Sequence, residues 1–584
     1  MRFLIFLFFI LSIQTINAQE FLQKSKQSKY WVDSVFKQLS QEEKIAQLII
    51  IRAHSNLGEE HISHVTELIK KYNVGGLCFF QGGPVRQANL TNYYQQIAKT
   101  PLMICMDAEW GLGMRLDSVI PFPKNFALGA IQNKSIIYKI GNAIGEQCKR
   151  LGVHVNFAPV VDINNNPNNP VINDRSFGEN KNLVAEFGIQ YMKGLQAAGV
   201  MACAKHFPGH GDVSVDSHLD LPIINKNNNQ LDSVELFPFK KLIKANVSAV
   251  MMAHLYVPSI DSTTNLATSL SKNAVKDLLK KKLKFKGLSF TDGLEMKGVT
   301  KYFPNAEISV QSLIAGNDLL LLPENVELSI RKIDSAILDG RICRKTFEKS
   351  VKKVLLAKYN LGLHQPKIIS ITNLLNDLNQ NTTSLLNEIA ANSITIVKQS
   401  SQIFDLLSDS LKYRITKPKI IHVSLGNGTE NEFSLQLKKD WNAETHFFTI
   451  NNPINAQLVD LIEPRTGKLI KDKEYKFSLA KKIIDSCTEK NKYDLIIISV
   501  QSYNRRPANN FGLGEADIYL MQKLSSQSNS VTFFFGNPYA IKNMCDGKNI
   551  ISCYDENKET QFKAASILLG KLKPIGKLPV TVCD

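Results

Sequence analysis

Eight apolar runs, each followed by a segment with helical periodicity, occupy residues 45–325 and limit the possible folds more than any other feature of this chain. The runs are 46–51, 74–80, 102–106, 153–161, 200–204, 249–254, 287–291 and 318–322. Strands that alternate with helices predict a parallel sheet, and eight such units in this length predict a closed (β/α)8 barrel of the TIM type. Periodicity alone does not separate that barrel from a long open parallel sheet. Polar residues punctuate the ends of the runs: Asp107 and Glu109, Asp162, Lys205 and His206, His254, and Asp292. In a parallel barrel these ends share one face, the face that carries catalytic groups.

At 584 residues the chain is longer than one core serves. Residues 329–361 read as basic amphipathic helix interrupted near Gly340, and a proline-containing stretch from 362 reads as a linker. A second set of short apolar runs follows at 393–397, 420–423, 447–450, 495–500, 531–535 and 550–553, again alternating with helical segments. This predicts a smaller three-layer α/β sandwich, with the polar, lysine-rich 451–475 as an exposed excursion. The expected division is a leader at 1–18, a catalytic barrel at 19–361, a linker at 362–380 and the second domain at 381–584.

The leader reading rests on Met1-Arg2, an apolar run over 3–13 and a small residue, Ala18, at a plausible cut. That run is too short to span a bilayer comfortably. The expectation is therefore an exported protein, periplasmic or secreted, with no stable membrane insertion after signal removal. The nine cysteines include no CxxC pair, and several lie in strand-like runs, so they read as small buried hydrophobes rather than a disulfide framework. The net charge of +17 comes from scattered lysines without basic-aromatic interleaving or zinc-finger spacing, which speaks against a nucleic-acid partner. Anionic envelope polymers suit the charge better, although charge alone does not establish them. The sequence leaves the oligomeric state open.

The densest chemistry lies in 204–218, Ala-Lys-His-Phe-Pro-Gly-His-Gly-Asp followed by Asp216, Ser217 and His218. His206 and His210 have the i, i+4 spacing of a metal helix, but Pro208 and Gly209 break that helix, so neither a metal nor another cofactor is expected. Asp216 and His218, two residues apart, suit a carboxylate that orients an imidazole for proton transfer, or an uncoupled surface pair. Asp292 ends an apolar run in Thr291-Asp292-Gly293-Leu294-Glu295-Met296, where it could cap a helix or act as a carboxylate nucleophile. Asp107-Ala108-Glu109-Trp110-Gly111 with Arg115, and Asn173-Asp174-Arg175-Ser176-Phe177-Gly178, offer charged and amide groups for hydroxyls or form surface ion pairs and turns. Ser269-Leu270-Ser271-Lys272 fits a Ser-x-x-Lys pattern without its partner motifs, and Ser271 reads as a helix cap.

Taken together, 205–211 with Asp216 and His218, Asp162 with 173–178, and 291–296 resemble glycoside hydrolase family 3, in its β-N-acetylhexosaminidase branch. The resemblance runs from roughly residue 30 to the C-terminus. It implies that Asp292 is the nucleophile, His218 the general acid/base and Asp216 its carboxylate partner. It also implies that Lys205, His206, Arg175, Asp107 and Arg115 hold the sugar in subsite −1. The implied activity is retaining, exo-acting hydrolysis of terminal β-N-acetylglucosamine from glycans such as peptidoglycan fragments or chitin-type oligosaccharides. A phosphorylase or a β-glucosidase of the same family is the alternative, and a non-catalytic sugar- or wall-binding protein is the reading from another class.

The acid/base lies on the barrel loop, so the second domain is not expected to take part in the chemical step. Its 533–539 and 576–580 strings also resemble the family. The glycines before Asp216 are expected to let the loop swing in over substrate. Relatives commonly read Asp-Gln-Glu-Gly-Gly where this chain has 107–111, so Trp110 is either an aromatic wall for a sugar face or packing. Some longer relatives add a β-lactamase-like module, and whether this chain is a fragment of such a protein is left open.

Overall fold

The computed structural model describes residues 21–217, 219–303, 306–400, 418–449 and 473–583. The leader at 1–18, His218 and all but the last three residues of the 451–475 excursion lie outside the described residues.

Eight parallel strands form the first sheet: β1 (Ile49–Ala53), β2 (Gly76–Phe79), β3 (Met103–Met106), β4 (Val155–Asn156), β5 (Met201–Phe207), β6 (Ala249–Met252), β7 (Leu288–Thr291) and β8 (Leu320–Leu321). They pair in the order β7-β6-β5-β4-β3-β2-β1-β8. The ends meet through a parallel bridge between Phe290 and Leu319, where the Thr291 N–H donates to the Leu319 carbonyl at 3.1 Å. The (β/α)8 barrel is thus closed by a single narrow seam. Its strands are buried on both faces, which is why they read in the sequence as continuous apolar runs rather than alternating ones.

The helix Lys181–Ala197 shows how the outer ring follows from sequence. Asn180 caps it, accepting from the N–H groups of Asn182 and Leu183, and its buried stripe includes Val184, Phe187, Tyr191, Met192 and Leu195 at helical spacing. Tyr191 on that stripe donates its hydroxyl hydrogen to the Glu109 carbonyl at 2.7 Å, tying the ring to the loop after β3. Ser271 accepts from the Ala274 N–H at 3.2 Å, as its cap reading requires.

The second domain has a six-stranded sheet of β9 (Thr395–Gln399), β10 (Ile420–Leu425), β11 (Glu444–Phe448), β12 (Leu495–Val500), β13 (Ser530–Phe534) and β14 (Asn549–Ser552). The order is β11-β10-β12-β13-β14-β9, with β9 antiparallel to β14 and the other pairs parallel. Separate apolar clusters cover its two faces, one around Ile498, Leu520 and Met521 and the other around Phe433, Trp441 and Leu568. That is the three-layer sandwich.

The segment after the barrel is clamped rather than loose. Arg150 donates to the carbonyls of Ser370 and Thr372 at 2.8 and 2.9 Å and to the Asp377 carboxylate at 2.8 Å. The cysteine reading needs one correction: Cys545 and Cys583 form a disulfide, while the other seven are free and all but Cys343 are buried. The pair lies 38 residues apart, a separation that carries no short-range spacing signal. Among the described residues no helix is long and apolar enough to cross a membrane.

The second domain packs on the loops at the carboxyl ends of the barrel strands. Phe126, Ala127 and Ala130 of the barrel join its apolar core, and Phe126 meets Tyr539 edge-on at 5.6 Å between ring centroids. Lys577 donates its N–H to the Ala130 carbonyl, and Thr581 donates its hydroxyl hydrogen to Glu179. The 533–539 and 576–580 strings therefore serve the domain interface.

Candidate active site

Each polar residue that follows a strand is carried to the same end of the barrel, because all eight strands run the same way. Along β5 the register with β6 shifts between Ala204 and Phe207, and this irregularity brings neighbouring residues Lys205 and His206 into one cluster. Lys205 is 2% exposed, and its ammonium lies 2.7 Å from both Asp107 Oδ1 and Glu109 Oε1. Arg115 donates to Asp107 Oδ2 at 2.8 Å. Arg175 forks onto Glu109, with Nε to Oε2 at 2.9 Å and Nη2 to Oε1 at 2.6 Å. Two carboxylates are thus shared among three cations.

His206 extends the network and its tautomer follows from its neighbours. The Arg175 Nη2 lies 3.4 Å from His206 Nε2 and can only donate, so Nε2 accepts and Nδ1 carries the hydrogen donated to Asp162 Oδ2 at 2.7 Å. The other oxygen of Asp162 accepts the backbone N–H groups of His206 and His210 at 3.1 and 2.7 Å. Asp162 therefore orients the ring and also ties down the start of the loop that follows β5.

Burial alone would push these carboxyls up, but the nearby cations outweigh it. Lys205 and then Arg115 bring Asp107 down to about 2, while Arg175 and Lys205 hold Glu109 far below the usual carboxylate range. The same carboxylates raise Lys205 and Arg175 against the penalty of burial. The cluster is ionic throughout the ordinary pH range. Arg115 keeps a buried Nε–H that no group accepts among the described residues, which leaves one oriented donor at the site.

Asp292 follows β7 directly. Its N–H donates to the Met252 carbonyl at 2.9 Å, and its Oδ1 accepts the Gly293 N–H at 2.8 Å. Burial raises its carboxyl, but the fields of His254 and then His206, the Gly293 hydrogen bond and Lys205 together bring it below the ordinary value. His254, fully buried, donates from Nε2 to the Gly293 carbonyl at 2.9 Å and pairs Nδ1 with Ser269 Oγ at 2.7 Å. The turn after Asp292 is pinned from the neighbouring strand. Asp292 caps no helix, since the next one, Lys297–Thr300, has Met296 at its N-cap.

The loop after β5 is built by close packing. A side chain at Gly211 would collide with the Ile163 carbonyl, and Gly209 takes φ 132° against Glu235, so both glycines serve close approach. His210, 1% exposed, lies 3.3 Å through Nε2 from Ser217 Oγ and is drawn down to about 4, first by burial and then by His206. Lys226 bridges Asp212 and Glu235 beneath the loop. Asp216 is half-buried here, and its carbonyl accepts from Leu219 and Asp220. His218 lies outside the described residues.

Of the residues singled out from sequence, Asp107, Arg115, Arg175, Lys205 and His206 form one connected network, and Asp292 lies within its field. Glu109, Asp162 and His254 received no individual role from the sequence, yet they organise the cations and the turn. Their signal was position, a titratable residue just past a buried strand. The second domain also reaches the rim. Arg505 donates from Nε to Asp174 at 2.8 Å and from Nη2 to the Tyr554 carbonyl at 3.0 Å, and Asn537 hydrogen-bonds Asn173. Lys124 shares Asp174 and stands 5.2 Å over the half-buried ring of Trp110. Among the described residues no cluster of three or more His, Cys, Asp or Glu is arranged to hold a metal ion.

Comparison with known proteins agrees with this arrangement. Residues 40–357 match the family model described as the glycosyl hydrolase family 3 N terminal domain. A β-hexosaminidase A of Pseudoalteromonas piscicida is 36% identical over 282 residues, covering 44% of this chain and 47% of that protein, so the chain spans about half of that relative. A β-N-acetylglucosaminidase/β-glucosidase of Cellulomonas fimi is 27% identical over 68% of this chain and 70% of its own length. Among solved structures, a glycoside hydrolase family 3 β-N-acetylglucosaminidase from Paenibacillus sp. str. FPU-7 superposes with a TM-score of 0.76 at 26% identity, covering 93% of this chain and 99% of that one. With the family model covering more than half of its length, and with a barrel whose charged cluster sits at the strand ends, the chain belongs to glycosyl hydrolase family 3 and is a glycosidase.

Proposed function

We propose that the chain is a retaining, exo-acting β-N-acetylhexosaminidase. The observation that carries this reading is Asp292, a half-buried carboxylate at the end of β7, drawn below the ordinary carboxylate value and fixed by the Gly293 N–H, within the field of the Lys205 and His206 network. An ionised, fixed carboxylate suits nucleophilic attack on an anomeric carbon. Lys205, His206, Arg175, Asp107 and Arg115 hold the sugar hydroxyls and the N-acetyl group. The Arg115 Nε–H, without an acceptor among the described residues, offers one donor for that purpose. The names of the relatives from Pseudoalteromonas, Cellulomonas and Paenibacillus support N-acetylhexosamine as the sugar.

In the first step His218, as imidazolium, protonates the leaving oxygen while Asp292 forms the glycosyl ester. In the second, neutral His218 activates water, the ester is cleaved and configuration is retained. Asp216 orients His218. The natural substrate proposed is a terminal β-N-acetylglucosamine of peptidoglycan fragments or chitin-type oligosaccharides, met outside the cytoplasm. The Cys545–Cys583 disulfide supports an oxidising compartment, and Met1-Arg2 ahead of the apolar run at 3–13 supports export.

The test is product analysis on aryl β-glycosides of N-acetylglucosamine and glucose, on chitobiose and on muropeptides, each with and without inorganic phosphate. Free N-acetylglucosamine in both conditions is expected. A sugar 1-phosphate as the main product would make the chain a phosphorylase, and a preference for glucose would overturn the sugar assignment.

A further inference from the structure

The amino ends of the barrel strands carry a second built feature, on the face opposite the catalytic cluster. A groove of about 1610 Å³ opens there, between the N-terminal helix Lys26–Gln38, the turns that enter β6 and β7, and the helix Arg344–Asn360. Ten lysines line it and only two carboxylates, Asp33 and Glu348. One of those is already engaged, since Lys352 lies 2.7 Å from Asp33. Lys29, Lys244, Lys284, Lys286, Lys345 and Lys349 are exposed. Lys240 and Lys353 are also paired, with Asp232 at 2.6 Å and Asp318 at 2.9 Å, so the positive excess at the groove comes from its exposed lysines.

The groove is not uniformly polar. Leu22, Ile243 and Leu283 line it, partly exposed, among the lysines, with Val32, Phe285 and Leu356 buried beneath. Long lysine side chains can lay their methylenes along such apolar surface while their ammonium groups reach outward. That pairing of apolar surface and cationic rim matches a phospholipid interface, with anionic headgroups above hydrocarbon.

We infer that the lysine-lined groove docks the protein on an anionic phospholipid surface, with the catalytic mouth facing away from it. The substrate end and the docking end lie at opposite ends of one barrel, so the site stays open to glycans while the protein is adsorbed.

The experiment is sedimentation of the protein with vesicles of phosphatidylcholine alone or mixed with phosphatidylglycerol. Binding is expected only to the anionic vesicles, and it should be released as salt rises toward about 1 M, where the screening length falls to ~3 Å. The combined variant Lys244→Glu, Lys284→Glu, Lys345→Glu and Lys349→Glu should bind at least about tenfold more weakly while hydrolysing a soluble aryl glycoside normally. A charge-matched control, Lys481→Glu, Lys482→Glu, Lys490→Glu and Lys558→Glu in the second domain, should bind like the parent. Equal loss in both variants would reduce the effect to net charge and overturn the inference. Failure to bind anionic vesicles would also overturn it, and groove-dependent binding of soluble polyphosphate in its place would make the groove a polymer site.

Discussion

Arg505 of the second domain donates its Nε hydrogen to Asp174 at 2.8 Å, and Asp174 immediately precedes Arg175, which forks onto Glu109 in the barrel cluster. Asp174 is almost fully buried, so its charge depends on Arg505 and Lys124 for compensation. The second domain thus braces the turn that aims Arg175. Arg505→Ala should raise KM for an aryl N-acetyl-β-glucosaminide several-fold with a smaller change in kcat, and Arg505→Lys should recover part of the loss. Steady-state kinetics on the three proteins decides this, and unchanged KM in Arg505→Ala would remove the bracing role.

Glu109 holds both Lys205 and Arg175 in a buried setting. Glu109→Gln keeps the shape but leaves buried Lys205 and half-buried Arg175 short of a partner. Removing one member of a buried pair costs about 3–5 kcal/mol. Denaturant unfolding should show a loss of that order together with weakened activity. A loss below about 1 kcal/mol would mean that the cations find other compensation.

The carboxyl groups of Asp107, Glu109 and Asp318 all lie below their ordinary values, Asp107 at about 2. The unfolded chain binds protons on these groups more readily than the folded one. Their stabilisation is therefore fully present above the unfolded carboxylate values near ~4 and is lost as pH falls through the folded ones. Melting temperature should drop steeply between about pH 4 and 2, with Asp107 contributing about 2 kcal/mol of the change. Asp107→Asn should flatten that slope, and an identical pH profile would contradict the assignment.

Lys358 gives a dependence of opposite origin. It is fully buried with its ammonium 2.7 Å from Gln47 Oε1, and burial pulls it down to about 7. Because the unfolded lysine keeps its proton to near ~10.4, this group destabilises the fold below pH 7 and ceases to do so as pH rises through that window. The difference in melting temperature between the parent and Lys358→Met should shrink or change sign from pH 6 to pH 10 if this holds. A constant difference would not fit.

Thiol chemistry separates the cysteines. Cys343 alone of the seven free thiols is exposed, and Cys545 is joined to Cys583. Native protein should give one rapidly reacting thiol, denatured protein seven, and denatured and reduced protein nine. Nine without reductant would disprove the disulfide.

What could be read in the sequence was set by burial. The barrel strands announce themselves because both faces are covered, and 495–500 coincides with β12 because a central strand of a parallel sheet is apolar throughout. By contrast, β4 and β8 are only two residues long, since irregular backbone takes over part of each apolar run. Asp107, Lys205 and His206 could be picked out as titratable residues at strand ends, and Arg175 only through the 173–178 string, which lies on a turn well past β4. The roles of Glu109 and His254 could not, because they depend on which side chains meet across the barrel. Arg505 lay further out of reach, since it touches the site only through a contact between domains, and Cys545 pairs with Cys583 through the fold rather than through spacing.

The central claim is that Asp292 becomes covalently glycosylated. Incubation with a fluorinated N-acetylglucosaminide that slows the second step, followed by proteolysis and peptide mass spectrometry, addresses it directly. The account predicts one added sugar on the peptide that contains Asp292, absent in Asp292→Ala. No adduct, despite turnover of the parent substrate, or an adduct on another carboxylate would contradict it.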